Sequence, residues 1–385
     1  MKLFQTARIE SPRTIAFYCS SLSKGGLELN TMRQAERMLK RGYRVLVLCV
    51  QDSPLLHLCR SANVPVVCIS RPWKYADIPS ALRVIRILRE HGCPQVVFSL
   101  NHDLSLAGRI KRRMPSLSIV YWQQMGLGVN KRDILHTRRY QSIDAWIAPL
   151  QSLRNEVLQR TRVPTERVHV IPLAVDPAHL GESVERGAAR AQFGLPEAGF
   201  SIGIIGRLDP AKGQLLAIQS MPCIREALGD VHLVLVGEAS VGMESHAQEI
   251  QREIHSLGLT DAVHVHPFLH KPGVFFDAVD LFLMATRSET FGMVTVEALM
   301  RGCPVAGTNS GGTPEILEQG AWGRLFEPGS QPEICRVVQE AFVHRDHDRE
   351  RAQLIASLAA ERYGVEQTCT AFERVLDECA KHQRG

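Results

Sequence analysis

A chain of 385 residues with a net charge of +5, 45% hydrophobic and 22% charged, has the composition of a soluble globular protein and enough length for two domains with a core each. No apolar run exceeds the six residues 45–50, which leaves no transmembrane helix, and Lys2, Arg8 and Glu10 interrupt any signal-peptide core. Ten cysteines with neither a Cys-x-x-Cys nor a Cys/His spacing of metal type point to reduced thiols and a cytoplasmic setting.

The small net charge hides an asymmetry. Residues 1–180 carry 27 Lys/Arg and 12 Asp/Glu, and the remainder carries 18 and 28. A basic half beside an acidic half suggests an anionic partner on one side, either nucleic acid or an anionic membrane surface.

Taken in order, 14–19 (TIAFYC) predicts a short strand, 20–26 a loop ending in Gly25 and Gly26, 27–41 a helix stopped by Gly42, and 45–50 the next strand. Strand, glycine loop, helix and strand open a doubly wound sheet, in which ligands gather at the carboxyl ends of the strands. There Gly26 would let a phosphate or sugar approach the backbone, although a Gly-Gly pair also serves as a bare turn. Alternation continues through 64–69, 81–91, 95–100, 104–113, 119–122 and 145–149. Arg83, Arg86 and Arg89 share one face of the helix 81–91, which is either a solvated face or one that docks on an anionic bilayer. His102 and Gln124 each follow a strand, a placement suited to sugar or acceptor contact. The strand and turn 169–176 (HVIPLAVD) close the first half, and the polar stretch 177–196 predicts an interdomain linker.

The second half opens in the same way: strand 201–205, loop 206–213 (GRLDPAKG), helix 214–228, strand 231–236. Two such openings imply two nucleotide-binding-type domains facing a cleft. Arg207 brings a planar fork and Lys212 a point charge, a pair suited to a diphosphate. After a polar turn at 268–277, the run 279–284, broken only by Asp280, reads as a buried parallel strand. A loop to Gly292 and a helix 293–301 follow, with Glu289 and Glu297 separated by seven residues and Phe291 and Gly292 between them. The helix N-terminus there, at Met293 and Val294, suits a phosphate, and the two carboxylates could accept from sugar or ribose hydroxyls. As an alternative, they simply cap and solvate. Strand 304–306 then leads into Gly311-Gly312-Thr313-Pro314-Glu315, and 366–381 reads as a final helix.

Glu289, Phe291, Gly292, Glu297, Gly311, Gly312, Pro314 and Glu315 together resemble the signature of the family 4 retaining glycosyltransferases, and 206–213 resembles the family's Gly-Arg-Leu-x-x-x-Lys-Gly loop. The resemblance implies an α/β chain of two Rossmann-like doubly wound domains facing a central cleft, the GT-B architecture. It places an acceptor-side domain at 1–178, a nucleotide-sugar domain at 196–365 and a helix at 366–385 packing back on the first domain. It implies transfer of a sugar from a UDP-sugar, or next a GDP-sugar, to a glycan or lipid-linked acceptor in cell-envelope polysaccharide or lipopolysaccharide synthesis. Arg207, Lys212 and Glu289 would be catalytic. Gly26, Phe291, Gly292, Met293, Val294 and Glu297 would help to bind the donor. No cofactor or metal is implied, because the basic pair can neutralise the leaving diphosphate. The enzyme would be cytoplasmic, peripheral on the inner membrane face through its basic domain, and would bind no nucleic acid. Two departures stand out: Ala174 replaces a usual glycine, and Gln124 stands where the family commonly has a histidine, with His102 or His136 as alternatives nearby. An NAD-dependent dehydrogenase or epimerase would want Gly-x-Gly-x-x-Gly, which neither 23–28 nor 203–213 supplies, and a non-catalytic polyanion-binding protein would want a recognisable binding motif.

Overall fold

The computed structural model describes residues 13–73, 77–239 and 242–382, so the stretch read for a signal peptide lies outside the described residues. The chain forms two compact units: one runs to Ile171 and resumes at Cys369, the other is Pro172–Thr368.

In the first unit, seven short strands are all paired in parallel: β1 Thr14–Cys19, β2 Arg44–Val50, β3 Val66–Ile69, β4 Gln95–Phe98, β5 Ser118–Trp122, β6 Ala145–Ala148 and β7 Val168–Val170. Their order is β3-β2-β1-β4-β5-β6-β7. The chain leaves β1 to one side for β2 and β3, then returns to the other side at β4. The sheet therefore has its topological switch point between β1 and β4, where the carboxyl ends part and leave a crevice. The strands are apolar because helices cover both faces. Trp146 is fully buried, edge-on to Tyr121 at 4.7 Å and to Tyr140 at 5.2 Å. From Cys369 onward the helix Val365–His382 belongs to this unit. Phe372 stacks 6.4 Å from Phe17, and Arg41 grips both carboxylate oxygens of Glu373 at 3.0 and 2.8 Å.

The second unit has six parallel strands: β8 Phe200–Ile205, β9 Val231–Val236, β10 Val263–His266, β11 Leu281–Met284, β12 Val305–Thr308 and β13 Arg324–Phe326. Their order is β10-β9-β8-β11-β12-β13, so its switch point lies between β8 and β11. Asp280, the polar break in an otherwise apolar run, sits just before β11 as the centre of a buried ion network. Its carboxylate accepts from Arg186 at 2.7 Å, Arg349 at 2.8 Å, Arg190 at 3.3 Å and Ser201 N at 2.9 Å.

Two sequence expectations change here. The stretch 177–196, read as a linker, holds helices Pro177–Leu180 and Arg186–Gln192 within the second unit. Its polar composition misleads because Arg190 is 1% exposed and donates to Pro196 O, Ala198 O and Gly199 O besides Asp280. The supposed polar turn 268–277 includes the start of helix Gly273–Ala278, where Phe275 and Phe276 are buried. Among the described residues no helix is long and apolar enough to cross a membrane.

Candidate functional site

At the switch point of the second sheet, two loops are clasped together by backbone contacts. The first, 206–213, follows β8: Gly206 N donates to Val236 O at 2.9 Å and Leu208 N to Glu238 O at 2.9 Å. Asp209 Oδ1 accepts from Ala211 N at 2.9 Å, and Ala211 O accepts from Arg287 N at 3.1 Å. Gly213, at φ +77°, begins the helix Gln214–Leu228, and a Cβ there would lie 2.4 Å from Ala285 O. Only glycine permits that approach. The second loop, 285–292, follows β11 and is tied in turn to 311–312. Gly312 N donates to Glu289 O at 2.7 Å, and a Cβ on Gly311, at φ +62°, would meet Glu289 O at 2.2 Å.

This double clasp brings Lys212 and Glu289 together across 77 residues of sequence: Lys212 Nζ donates to Glu289 Oε2 at 2.7 Å. Their side chains are 27% and 23% exposed, and a pair that wet contributes little to stability. Its value lies in holding an ammonium and a carboxylate at the carboxyl edge of the sheet, open to a ligand. Arg207 is exposed on the same loop, and its carbonyl accepts from Gln214 Nε2 at 2.8 Å.

The helix Met293–Met300 starts from Gly292, whose carbonyl accepts from Thr295 N at 3.0 Å and Val296 N at 3.3 Å. Met293 and Val294 are half-buried in its first turn, Glu297 is nearly buried one turn on, and the Phe291 ring points inward, edge-on to Tyr363 at 6.0 Å. Three buried polar atoms near these loops lack a hydrogen-bond partner among the described residues: Thr295 Oγ1, Thr313 Oγ1 and Gln214 Oε1. Orphans of this kind are uncommon in folded interiors. Sequence reasoning passed over all three residues, and their only signal was position within the glycine motifs. Burial pushes the Cys303 thiol, just before β12, up to about 12, so it is no activated nucleophile.

Gly26, His102 and Gln124 belong to the first unit. Gly26 opens the helix Gly26–Lys40, and a Cβ there would meet nothing within 4 Å. His102 lies in the turn Asn101–Asp103 after β4, with Nδ1 3.5 Å from Asp103 Oδ1. Asp103 is fully buried and accepts from Ser20 N at 3.0 Å and from Ser20 Oγ. Ser20 directly follows β1, so the chain Ser20, Asp103, His102 spans the first sheet's switch point. Gln124, two residues past β5, is 8% exposed; its Oε1 accepts from Asn30 Nδ2 at 3.2 Å while its Nε2 has no hydrogen-bond partner among the described residues. Thr31 Oγ1 donates to Ser99 Oγ at 3.0 Å. His136 instead faces Asp133, the cap of its own helix.

Residues 24–179 match the sequence model described as Glycosyltransferase Family 4, and residues 185–356 match that of Glycosyl transferases group 1. A D-inositol 3-phosphate glycosyltransferase of Xylanimonas cellulosilytica is 27% identical over 247 residues, 62% of this chain and 58% of the relative. D-inositol 3-phosphate glycosyltransferase 1 of Catenulispora acidiphila is 29% identical over 347 residues, 82% of each chain. The chain spans about half the length of most curated relatives it matches. Among solved structures, Anabaena Alr3699/HepE in complex with UDP superimposes with a TM-score of 0.81 at 21% identity, covering 95% of this chain and 100% of that one. That likeness establishes the two-domain GT-B fold.

Proposed function

We propose that this chain, which belongs to the family 4 glycosyltransferases, transfers a hexosyl group from a UDP-sugar to an acceptor hydroxyl with retention at the anomeric carbon, and needs no metal to do so. The observation that carries the reading is the Lys212–Glu289 pair at 2.7 Å beside Arg207 and the start of helix Met293–Met300. In the transfer the bond from the anomeric carbon to the β-phosphate oxygen breaks and a bond to the acceptor oxygen forms. The acceptor proton goes to the departing phosphate on the same face, so no protein nucleophile is required. Negative charge grows on that phosphate. Arg207, Lys212 and the first-turn N–H groups of Met293 and Val294 are suited to take it up, and preorganised groups of this kind act without reorganisation cost. Glu289, held by Lys212, would orient the donor sugar, and Glu297 would accept from the ribose. Within the first unit, Gly26, His102 and Gln124 would contact substrate.

For the acceptor, the basic first half of the chain favours a lipid-linked or membrane-borne glycan of the cell envelope, used at the inner membrane face. The relatives named for D-inositol 3-phosphate favour a second reading, a soluble cyclitol phosphate.

A thermal-shift panel with UDP, GDP, ADP, dTDP and NAD, repeated on Lys212→Ala, tests the donor. Ligand at 100 times its dissociation constant adds about 2.7 kcal/mol to the stability of the state that binds it. A shift with UDP alone, lost in the variant, is expected; a shift with GDP alone renames the base, and a shift with NAD alone overturns the reading. The anomeric proton coupling of the product tests retention.

A further inference from the structure

The segment 125–138 follows Gln124 at the carboxyl end of β5 and carries four large apolar side chains turned to solvent: Met125 is 60% exposed, Val129 70%, Ile134 67% and Leu135 75%. The segment is tightly tied. Leu127 N donates to Glu156 Oε2 at 3.2 Å, Lys131 N to Arg160 O at 2.8 Å and Arg132 Nη1 to Gln159 O at 3.0 Å. Asp133 caps the helix Ile134–Tyr140 by accepting from Leu135 N at 3.0 Å and His136 N at 3.1 Å. A braced loop that still holds Ile134 and Leu135 outward maintains an apolar surface at a solvation cost, and exposed patches of this kind mark association sites.

The charges around it are mostly positive. Lys131, Arg132 and Arg138 lie within the segment and Arg139 follows, against Asp133, which is engaged with the helix start and His136, and Glu156, which is paired with Arg160 at 2.9 Å. Burial and the neighbouring Arg139 hold Lys131 below its usual value, as expected where cations crowd. Apolar tips ringed by cations match the boundary of an anionic bilayer, where acyl chains take the tips and headgroups take the charges.

We propose that Val129, Ile134 and Leu135 insert into an anionic membrane surface while Lys131, Arg132 and Arg138 contact its headgroups. This docking element is distinct from the arginine face of the helix Ile78–Glu90. It rests on the reading that the acceptor is membrane-borne, since it sets the polar cluster around Gln124 at the level where a lipid-linked sugar would stand.

The test is co-sedimentation of the full chain with vesicles of phosphatidylcholine and 30% phosphatidylglycerol, with the UDP thermal shift measured on every variant. The double variant Ile134→Ser/Leu135→Ser should lose at least about tenfold in vesicle affinity, because both apolar tips are withdrawn from the acyl region. Its UDP shift should be unchanged, and Arg83→Gln/Arg86→Gln/Arg89→Gln should keep most of the vesicle affinity. Absent vesicle binding by the wild-type chain with an intact UDP shift overturns the docking and leaves the donor reading standing. Undiminished binding by the double variant overturns the assignment to this element. Equal binding to pure phosphatidylcholine removes the headgroup contacts. A wild-type dimer that the double variant turns into a monomer assigns the surface to a second copy and also overturns the proposal.

Discussion

The two sheets share one topology and part their strands at equivalent places, yet the chemistry at the two switch points is opposite. Between β8 and β11 stand Arg207, Lys212 and a helix start, with Glu289 as counter-charge. Between β1 and β4 stand hydroxyls, amides, one imidazole and one buried carboxylate that ties them: Ser20, His102 and Asp103, with Thr31, Ser99, Asn30 and Gln124 alongside. The first set suits an anion that gains charge during reaction. The second suits a neutral polyol, in which every hydroxyl both donates and accepts. The overall charge runs the other way, since the cationic loop lies in the acidic part of the chain and the neutral cluster in the basic part. A long-range charge balance steers partners to a surface, whereas a few groups fixed by backbone clasps decide what binds at a point.

The hardest test of this contrast is to remove the cations. Arg207→Ala and Lys212→Ala should each lower kcat by about 10²–10³, equivalent to about 2.7–4 kcal/mol on the barrier. Glu289→Ala should fall in the same range, while circular dichroism and melting stay near wild type because these side chains are partly exposed. Wild-type turnover in any of the three would take that residue out of the mechanism. A comparable kcat loss from Ser20→Ala would abolish the distinction between the two switch points.

The next effect concerns the frame. Gly213→Ala puts a methyl group 2.4 Å from a backbone carbonyl at positive φ, and strain of this sort costs about 1–3 kcal/mol. Its melting temperature should drop and UDP binding should weaken with it. Gly26→Ala meets nothing within 4 Å and should melt within about 0.5 kcal/mol of wild type. If the two glycines behave alike, the clasp is not what holds the cationic loop.

The cationic switch point was legible in the sequence because its parts sit in short local motifs. Arg207 and Lys212 share one loop, Glu289 and Glu297 flank one helix start, and the glycines that tie the loops are themselves in the pattern. The strands were legible as apolar runs, and even Asp280 did not obscure β11. The neutral switch point was legible only in part. His102 and Gln124 could be singled out as polar residues after strands, but their partners Ser20 and Asn30 come from 83 and 94 residues away in the Asp103 and Gln124 pairings. Nothing in composition announces such a pair. The stretch 177–196 misled for a related reason: it reads as a polar linker, yet its Arg190 is satisfied by buried carbonyls and Asp280.

The smallest effect belongs to Gln124, and it separates acceptor from donor most cleanly. Its Oε1 is engaged by Asn30, which fixes the amide so that Nε2 is the donor left over, buried and without a partner. A buried donor in that state is destabilising in the free protein by about 1–3 kcal/mol and regains a hydrogen bond only when a ligand oxygen arrives. Gln124→Met keeps the length and removes the amide, so acceptor KM should rise by about 2- to 12-fold, the worth of one neutral hydrogen bond of about 0.5–1.5 kcal/mol. The UDP midpoint and kcat at saturating acceptor should hold. A shifted UDP midpoint with constant acceptor KM would instead assign Gln124 to the donor.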